Sequence, residues 1–390
     1  MVTIQEAFSI LNNNLPAPKV EILPLAKAKK HVLAEDLFAP ISMPPFRQSA
    51  MDGFAFGLYD GLEYEIIGEV KAGDNHQVVL NAGQAVKIFT GAPVPDSATA
   101  VMQIEKVTVS GTVLKLAELP KQEQNIRPVG EQNLKGDLAL TKGTLLNAAC
   151  IGFLAGLGFT VVKVYQKPKI GILVTGNELV QPGLPLDFGK IYESNSVMLD
   201  IALQEAFYEN TSIYNVNDDF ENTKNKIAEA LAENDVILIS GGISVGDYDF
   251  VAKALEVLQV ETLFYKVKQK PGKPFYVGKL NDKRIFALPG NPAASLTCFY
   301  VYVLPTLQII SGVNTDYGLT SSKKLTHDFT VSNARNQFLK AHIVGDKVTI
   351  LTHQNSSMLN TFSISNGLVY VEDGGYLLAK GDAVEVYVIN

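Results

Sequence analysis

The residues best suited to chemistry in this chain lie in short polar segments that follow runs of apolar residues. The clearest is DVILISGGISVGDYDF at residues 235–250, where an apolar run leads to a glycine pair and then to a loop rich in hydroxyl and carboxylate groups. Open α/β sheets bind ligands at the carboxyl ends of such strands. The segment predicts one side of a phosphate or nucleotide site, with candidate binding residues Ser240, Gly241, Gly242 and Ser244.

Three further predicted strands end in a similar way. Their ends read TGNE at residues 175–178, NDD at 217–219 and PGNP at 289–292. Each end alone is weak support for a site, because an aspartate after a strand can simply cap the next helix, and a proline is common at the first helical position. In one parallel sheet, however, four such ends would bring glycine, hydroxyl and carboxylate groups to a single rim.

The carboxylates of this rim suggest a metal. Glu178, Asp218 and Asp249 would repel one another if they converged, and a divalent cation usually balances such a cluster. Ligand sets made only of oxygen suit Mg²⁺. We therefore predict a magnesium site formed by these three side chains. The alternative stays open that one residue of each pair, Asp218 or Asp219 and Asp247 or Asp249, only caps the following helix.

A cationic counterpart lies in FYKVKQKPGKPF at residues 264–275. As one strand, this segment would place Lys266, Lys268 and Lys270 on a single face, with Lys273 just beyond the Pro-Gly turn. Lysines beside a glycine turn can bind phosphate or another oxyanion. They can also protect an edge strand from aggregation, so both interpretations stay open.

Two loops in a stretch of short, glycine-punctuated strands also carry polar groups. Pro44–Phe54 places Asp52 at a turn, and Phe89–Pro95 places Thr90 just before a rigid turn. Turn formation alone is the default interpretation of both loops.

The composition limits the class of protein. At 390 residues we expect two to four domains, and 47% hydrophobic with 19% charged residues is ordinary for globular proteins. The net charge of −7 argues against binding nucleic acid through bulk electrostatics. Cys150 and Cys298 are far apart and fit two packed thiols in a reducing compartment. With no visible secretion signal, we expect a cytoplasmic protein.

The element pattern predicts a multidomain fold of the α/β plus β class. Strand and helix patterns alternate between residues 169 and 312, which predicts a mainly parallel, doubly wound α/β domain. Residues 46–142 and 317–390 consist instead of short strands punctuated by glycine. Near the N-terminus we expect helices at Thr3–Leu11 and Ala26–Leu33.

One segment could be mistaken for a membrane span. Leu145–Val164 is nearly uncharged and about long enough to cross a bilayer. Because glycines interrupt it and a β-branched run follows, we interpret it as a small-residue helix, a glycine cap and a strand.

Taken together, these segments closely resemble the molybdopterin molybdenumtransferase family, which includes MoeA and the gephyrin E domain. The motifs that carry the resemblance run in the family's order from residue 44 to 295, and they are PPFRQSAMDGFAF, GQAVKIFTGAPVP, NIRPVGE, ILVTGNELV, SGGISVGDYDF, KPGKPF and LPGNPAAS. The chain departs modestly from the family's motifs at three places. These are the Arg47-Gln48-Ser49 run, the loop at Arg127, which is less rich in arginine than the family's, and the Ala293-Ala294-Ser295 run after GNP.

The resemblance implies a four-part fold. Its parts would be an elongated domain from residues 1–45 and 143–168, an inserted β-rich domain at 46–142, a molybdopterin-binding α/β domain at 169–316 and a C-terminal β domain at 317–390. It also implies a homodimer whose active site combines the α/β domain with parts of the partner's insert.

The resemblance further implies that molybdate is inserted into the dithiolene of adenylylated molybdopterin, with Mg²⁺-dependent release of AMP. Glu178, Asp218 and Asp249 would handle the metal and the adenylyl phosphate, while Asp52 and Thr90 would come from the partner's insert. The remaining candidate substrate-binding residues are Lys266, Lys270, Lys273, Pro289, Asn291, Pro292, Arg127 and Ser356.

Two rival interpretations remain. A molybdopterin adenylyltransferase resembles this chain in the α/β domain, but it lacks the β-rich insert and the C-terminal domain. A non-catalytic dimeric scaffold, like the gephyrin relatives, would not need the acidic cluster. For the transferase, we expect the adenylyltransferase and molybdoenzymes as partners, and neither nucleic acid nor a membrane.

Overall fold

The structure is a computed structural model of this chain, and it describes residues 1–57, 59–75, 78–217, 219–243, 250–318, 320–333 and 335–389. The chain divides into two compact units. The smaller unit comprises residues 22–29 and 33–163, and the larger comprises residues 1–21, 30–32 and 164–390.

The first helix is fixed by its own sequence. The Thr3 hydroxyl accepts a hydrogen bond from the Glu6 N–H (3.1 Å), and the Glu6 carboxylate accepts one from the Thr3 N–H (2.8 Å). This capping box satisfies backbone donors that would otherwise lack partners. The elements up to residue 165 are α1 (Ile4–Asn13), β1 (Val20–Pro24), β2 (Leu37–Phe38), β3 (Gln48–Ser49), β4 (Gly53–Phe56), β5 (Glu63–Val70), β6 (Gln84–Ile88), β7 (Ala100–Gln103), β8 (Val107–Ser110), β9 (Val113–Leu116), β10 (Ile126–Arg127), β11 (Leu138–Leu140), α2 (Ala148–Gly156) and β12 (Val161–Tyr165).

The predicted helix at Thr3–Leu11 is confirmed, whereas the one at Ala26–Leu33 is wrong. Only a 3-10 turn forms there, at Leu25–Lys27. Lys30 has a φ of +60°, which a right-handed helix cannot accommodate. The Leu33 N–H then donates to the Thr144 carbonyl (3.0 Å) instead of continuing a helix.

The smaller unit is built on a six-stranded sheet in the order β7-β4-β6-β5-β9-β8. Its two faces bury different side chains. Phe56, Tyr64 and Met102 belong to one core cluster, and Val86 and Val101 belong to another. The alternation follows the two-residue period of strands, and the β-rich character expected for residues 46–142 is confirmed.

The apolar stretch Leu145–Val164 has the structure expected from its sequence. Helix α2 begins after Asn147, whose side chain accepts from the Cys150 N–H (2.9 Å). Gly158 follows the helix with a φ of +90°, a conformation that favours glycine, and β12 comes next.

The larger unit contains the α/β domain. Its main sheet has the order β16-β13-β17-β21-β20-β18, in which the first four strands are parallel and β20 pairs antiparallel with both of its neighbours, β21 and β18. The predicted, mainly parallel domain is therefore confirmed. Its elements are β13 (Ile170–Thr175), β14 (Leu179–Val180), β15 (Ile191–Tyr192), α3 (Asn195–Glu205), β16 (Thr211–Val216), α4 (Phe220–Glu233), β17 (Val236–Ser240), α5 (Phe250–Val257), β18 (Glu261–Tyr265), β19 (Gln269–Lys270), β20 (Tyr276–Leu280), β21 (Lys283–Leu288), α6 (Pro292–Cys298) and α7 (Leu304–Ile310).

The sheet is covered on both faces. In β17, Val236 and Leu238 join a core cluster with residues of α3 and α6, whereas Ile237 and Ile239 join a cluster with residues of α4 and α5. All five residues of β17 are buried. Continuous apolar strands of this kind are typical of parallel sheets with helices on both sides.

The C-terminal part of the larger unit is a small barrel. Strands β24, β25, β22, β28 and β26 pair in that order, and β26 pairs back with β24. The two-residue strand β19 of the α/β domain adds to the outside of β24 in parallel. The strands are β22 (Ser321–Leu325), β23 (Phe329–Asn333), β24 (Asn336–Val344), β25 (Lys347–Ile350), β26 (Gly367–Val371), β27 (Gly374–Leu378) and β28 (Ala383–Val388).

Within the described residues, one helical stretch has the length and composition of a membrane span. It is Pro292–Ile310, in which a π-helical turn joins α6 to α7. Most of it is buried inside the protein, where Phe299 and Tyr302 are fully covered. These contacts are those of a core helix.

We expect Leu238→Ala to lower the free energy of unfolding by about 3 kcal/mol, because the side chain is fully buried at the centre of the sheet and its loss leaves a cavity. Ile213→Ala in the edge strand β16, where the side chain is 46% exposed, should cost less than about 1 kcal/mol. Urea unfolding followed by circular dichroism measures both. Equal losses in the two variants would contradict this account of the core.

Candidate active site

A cleft lies at the carboxyl ends of β13, β17 and β21, the position where parallel sheets bind ligands. Its volume is about 540 Å³, enough for a small organic ligand. We call it the strand-end cleft, and its lining residues are Val174, Thr175, Gly176, Glu178, Leu179, Ile191, Tyr192, Glu193, Ser194, Asn195, Ser240, Gly241, Gly242, Ile243, Pro274, Pro289, Gly290, Asn291, Pro292 and Ser357.

Glycine is required where two strand ends meet. Gly241 has a φ of +95°, and a Cβ atom there would lie 2.5 Å from the Thr175 carbonyl oxygen. Gly242 also has a positive φ, of +63°. The glycine pair thus lets the end of β17 pass close to the end of β13 and leaves backbone accessible to a ligand.

A buried asparagine links the elements that form the cleft. The Asn195 side-chain amide donates to Ser240 Oγ (2.7 Å) and to the Gly290 carbonyl (2.8 Å), so it joins the start of α3 to the ends of β17 and β21. Its own Oδ1 is buried and has no hydrogen-bond partner in the described part of the chain. Asn195 is not among the residues predicted from the sequence. A signal that could have found it is the polar run ESNS at 193–196, directly before an apolar helix pattern.

Two carboxylates at the cleft have different roles. Glu193 is buried, and it accepts from the Ser196 N–H (2.9 Å) and the Ser196 hydroxyl, which caps the start of α3. Glu178 is exposed, and within the described ranges no hydrogen bond or ion pair occupies its side chain. Glu178 is therefore the carboxylate at this edge that is available to a cation.

The other two predicted metal ligands, Asp218 and Asp249, lie outside the described residues, as does Ser244. Among the residues that are described, no group of three or more His, Cys, Asp or Glu side chains could hold a metal ion. The oxygen donor of Glu178 suits Mg²⁺ chemically. The predicted three-carboxylate site remains a prediction.

The segment Pro289–Pro292 contacts the C-terminal part of the chain. Asn291 precedes α6 without capping it through its side chain, and it donates instead to Ser356 Oγ (2.9 Å). The Ser356 carbonyl accepts from the Ala294 N–H (3.2 Å). The structure thus brings four predicted residues together, namely Pro289, Asn291, Pro292 and Ser356.

The predicted lysine strand is wrong. Strand β18 ends at Tyr265, and Lys266 has a φ of +69°, so the backbone leaves the extended conformation at that residue. The Lys266 ammonium lies over the Tyr265 ring, 4.7 Å from the ring centroid. Lys268 Nζ forms an ion pair with Asp373 Oδ2 (2.8 Å), and Lys270 belongs to β19.

The lysines are therefore not presented on a single strand. Lys268 and Lys270 are exposed around the buried Gln269, and Lys273 is exposed as well. None of the three, nor Lys266, is among the described residues that line the strand-end cleft. From this segment, Pro274 reaches the cleft.

The remaining predicted residues lie in the smaller unit. The Asp52 carboxylate accepts from the Thr90 N–H (2.7 Å) and from the Thr90 hydroxyl (2.9 Å). These two hydrogen bonds hold the pKa of Asp52 below its ordinary value, the backbone bond being the larger cause. Arg127 is exposed in β10, opposite Gln48 of β3.

Comparison with known proteins identifies families that match successive parts of the chain. Three family models match in succession: the "MoeA N-terminal region (domain I and II)" at residues 2–158, the "Probable molybdopterin binding domain" at 171–309 and the "MoeA C-terminal region (domain IV)" at 323–389. The strand-end cleft lies in the second region except for Ser357, which belongs to the third. The first and third regions define the class as molybdopterin biosynthesis proteins of the MoeA type.

Individual proteins similar to this chain belong to the same family as the matching models. A molybdopterin molybdenumtransferase of Haemophilus influenzae is 39% identical over 319 residues, covering 80% of this chain and 78% of the relative. One from Staphylococcus epidermidis is 31% identical and covers 99% and 95%. The crystal structure of a MoeA molybdopterin biosynthesis protein from Pyrococcus horikoshii superposes with a TM-score of 0.84 at 30% identity, over 100% and 99% of the chains. The chain belongs to the molybdopterin molybdenumtransferase family.

We expect Thr90→Val to raise the pKa of Asp52 part of the way to its ordinary value, because the hydroxyl bond is lost and the backbone bond remains. A carboxyl group with a lowered folded-state pKa stabilises the fold above its unfolded-state pKa, and this contribution is lost as the pH falls through the folded value. The free energy of unfolding of Thr90→Val should therefore be lower than that of the unmodified protein at neutral pH. This difference should disappear as the pH falls into the acid range.

An NMR titration of the Asp52 carboxyl carbon measures the pKa, and urea unfolding at several pH values measures the stability. Thr108→Val, at an exposed position of β8, is the matched control and should leave the pKa of Asp52 unchanged. An unchanged pKa in Thr90→Val would show that the hydroxyl does not act on this carboxylate.

Proposed function

We propose that this protein inserts molybdate into the dithiolene of adenylylated molybdopterin and releases AMP. Membership of the family makes it a transferase of molybdenum cofactor biosynthesis, with molybdopterin compounds as its substrates. The observation that carries the proposal is the strand-end cleft, which brings the ends of β13, β17 and β21 together with Glu178.

The chain's own groups suit an anionic, partly planar substrate. Gly241 and Gly242 let a phosphate or a pterin approach the backbone closely, and Ser240 and Asn195 fix the floor beneath them. Segment Pro289–Pro292 supplies a wall that the C-terminal domain holds in place. The lysines between 266 and 273 would attract the negatively charged substrates from outside the cleft.

Glu178, with Asp218 and Asp249, would hold Mg²⁺, which when bound acts as a template and a Lewis acid for cleavage of the phosphoanhydride. The carboxylates of the chain would hold the cation beside the phosphoanhydride, and their oxygen-only donor set favours hard cations such as Mg²⁺. We assign no covalent nucleophile to the protein, so water or a molybdate oxygen attacks the adenylyl phosphorus. The P–O–P bond of the phosphoanhydride breaks, the molybdopterin phosphate departs, and the adenylyl group leaves as AMP, after hydrolysis where molybdate was the nucleophile. The two dithiolene thiols bind molybdenum in place of molybdate oxygens, which leave as water.

The whole-chain matches favour this reaction over the two alternatives. An adenylyltransferase would need only the α/β domain, whereas the matches include the regions on both sides of it. A scaffold would not need Glu178 exposed at the strand-end cleft.

We expect the purified protein to release AMP when supplied with adenylylated molybdopterin, molybdate and Mg²⁺, and to lose this activity when Mg²⁺ is chelated. Glu178→Gln and Asp249→Ala should each lower the rate about a hundredfold, the usual loss when a group that stabilises the transition state is removed. Chromatographic quantification of AMP measures the rate.

The matched control is Asp282→Asn. Asp282 lies in the turn between β20 and β21, at the opposite end of the sheet from the cleft, so its loss should leave the rate unchanged. Normal turnover in a folded Asp249→Ala variant would remove this residue from the metal site. Failure of the unmodified protein to release AMP would favour the scaffold.

We also propose a cytoplasmic homodimer with a shared active site, in which Asp52 and Thr90 of one chain act with Glu178 of the other. Its further partners would be the adenylyltransferase that makes its substrate and the molybdoenzymes that receive its product. Both cysteines are free thiols, which supports a reducing compartment.

Subunit complementation tests the shared site. If Asp52 and Glu178 act from different chains, mixing inactive Asp52→Ala and Glu178→Gln subunits gives mixed dimers with one intact site each. Activity should then recover to about a quarter of the unmodified level after random reassociation of a two-fold dimer. Recovery would be absent if both residues acted within one chain, and sedimentation would show a single subunit if there is no dimer.

A further inference from the structure

Lys340 is a buried cation that the proposed reaction does not use. It lies in β24 and is only 3% exposed. No carboxylate pairs with it among the residues that the structure describes, and burial lowers the pKa of its ammonium group. Lysines are rarely buried without a charged partner, because the desolvated ammonium is costly unless its hydrogen bonds are made.

Three backbone carbonyls satisfy this ammonium group, and all of them belong to one loop. Lys340 Nζ donates to the carbonyls of His353 (3.0 Å), Asn355 (3.3 Å) and Met358 (2.9 Å). Three partners use all the donors of a lysine. The loop is therefore wrapped around the end of a single side chain. We call residues 353–358 the anchored loop.

The backbone of Lys340 holds the same loop. Its N–H donates to Gln354 Oε1 (2.9 Å), and its carbonyl accepts from Gln354 Nε2 (2.9 Å). His353, at the start of the loop, has a φ of +59°, an unusual conformation for a residue other than glycine. Fixed contacts from one strand residue are what maintain such a conformation.

The far side of the anchored loop reaches the strand-end cleft. Ser357 lines it, and Ser356 Oγ accepts from the Asn291 side chain. The Ser356 carbonyl accepts from the N–H of Ala294, in the first turn of α6. N–H groups in the first turn of a helix have no partner within the helix, so the anchored loop supplies one from a distant part of the chain.

We propose that Lys340 is a positioning residue of the active site, which holds the anchored loop so that Ser356 fixes the segment Pro289–Pro292 at the cleft. The assignment of a substrate-binding role to that segment rests on the proposed function. Lys340 itself touches no substrate, and its contribution passes through Ser356 to Asn291 and Ala294.

The test compares Lys340→Met, which keeps the length of the stem and removes the ammonium, with Lys323→Met. Lys323 lies in the same barrel and donates to one carbonyl, that of Gly345 (2.9 Å), away from the anchored loop. In Lys340→Met we expect amide exchange at residues 353–358 and at Ala294 to be at least about tenfold faster. The reason is that losing a charge-assisted hydrogen bond shifts the local opening equilibrium by about that factor or more. Lys323→Met should leave the exchange rates at both places unchanged.

The kinetic readout separates positioning from general stability. In Lys340→Met we expect KM for adenylylated molybdopterin to rise about tenfold while kcat changes little, since the loop positions the binding segment rather than a reacting group. Combining Lys340→Met with Ser356→Ala should raise KM no further than the larger single effect, because Lys340→Met already disturbs the Ser356–Asn291 contact that Ser356→Ala removes. Should Lys340→Met fail to fold, Lys340→Gln, which keeps two donors, replaces it.

Unchanged exchange at Ala294 in a folded variant would overturn the proposal, and so would additive effects on KM in the double variant. Faster exchange at 353–358 without any change at Ala294 would also overturn it, since Lys340 would then stabilise only the barrel. Exchange does not depend on turnover. It decides the proposal even if the unmodified protein releases no AMP, a result that would count against the proposed function alone.

Discussion

The burial of strand β17 on both faces is the constraint on which the site depends. Because alternate residues of Val236–Ser240 enter two different hydrophobic clusters, a slip of one residue would exchange the contents of both. The register with β13 and β21 is therefore fixed, and so is the level at which the three strands end. The strand-end cleft is a direct consequence of this register.

Polar contacts then convert the aligned strand ends into a site of defined shape. Asn195 joins two of these ends from the start of α3, while Gly241 allows the third to approach. The outer wall comes from the barrel through Ser356 and Asn291. Each of these groups is supplied by a different part of the chain, so contacts between distant residues define the cleft although most of its lining is loop.

Much of the fold could be predicted because it follows from local periodicity. Helix α4 lies within the stretch of alternating strand and helix patterns at residues 169–312, and the apolar run before Gly241 is a buried parallel strand. The lysine segment failed because Lys266 adopts a left-handed conformation, which alternation of residue types does not reveal. Asn195 and Lys340 were missed because their importance lies in partners distant in sequence. The roles of Asp218, Asp249 and Ser244 remain predictions.

Strand β19 joins the α/β domain to the C-terminal barrel. Two residues of the α/β domain, Gln269 and Lys270, extend the sheet of the barrel, and Phe338 and Leu368 of the barrel share a hydrophobic cluster with the helix Pro292–Ile310. The barrel is thus not an exchangeable module attached by a linker. Gene fusions or truncations that separate it from the α/β domain would leave an unpaired strand edge and an open core, which are the usual origins of aggregation.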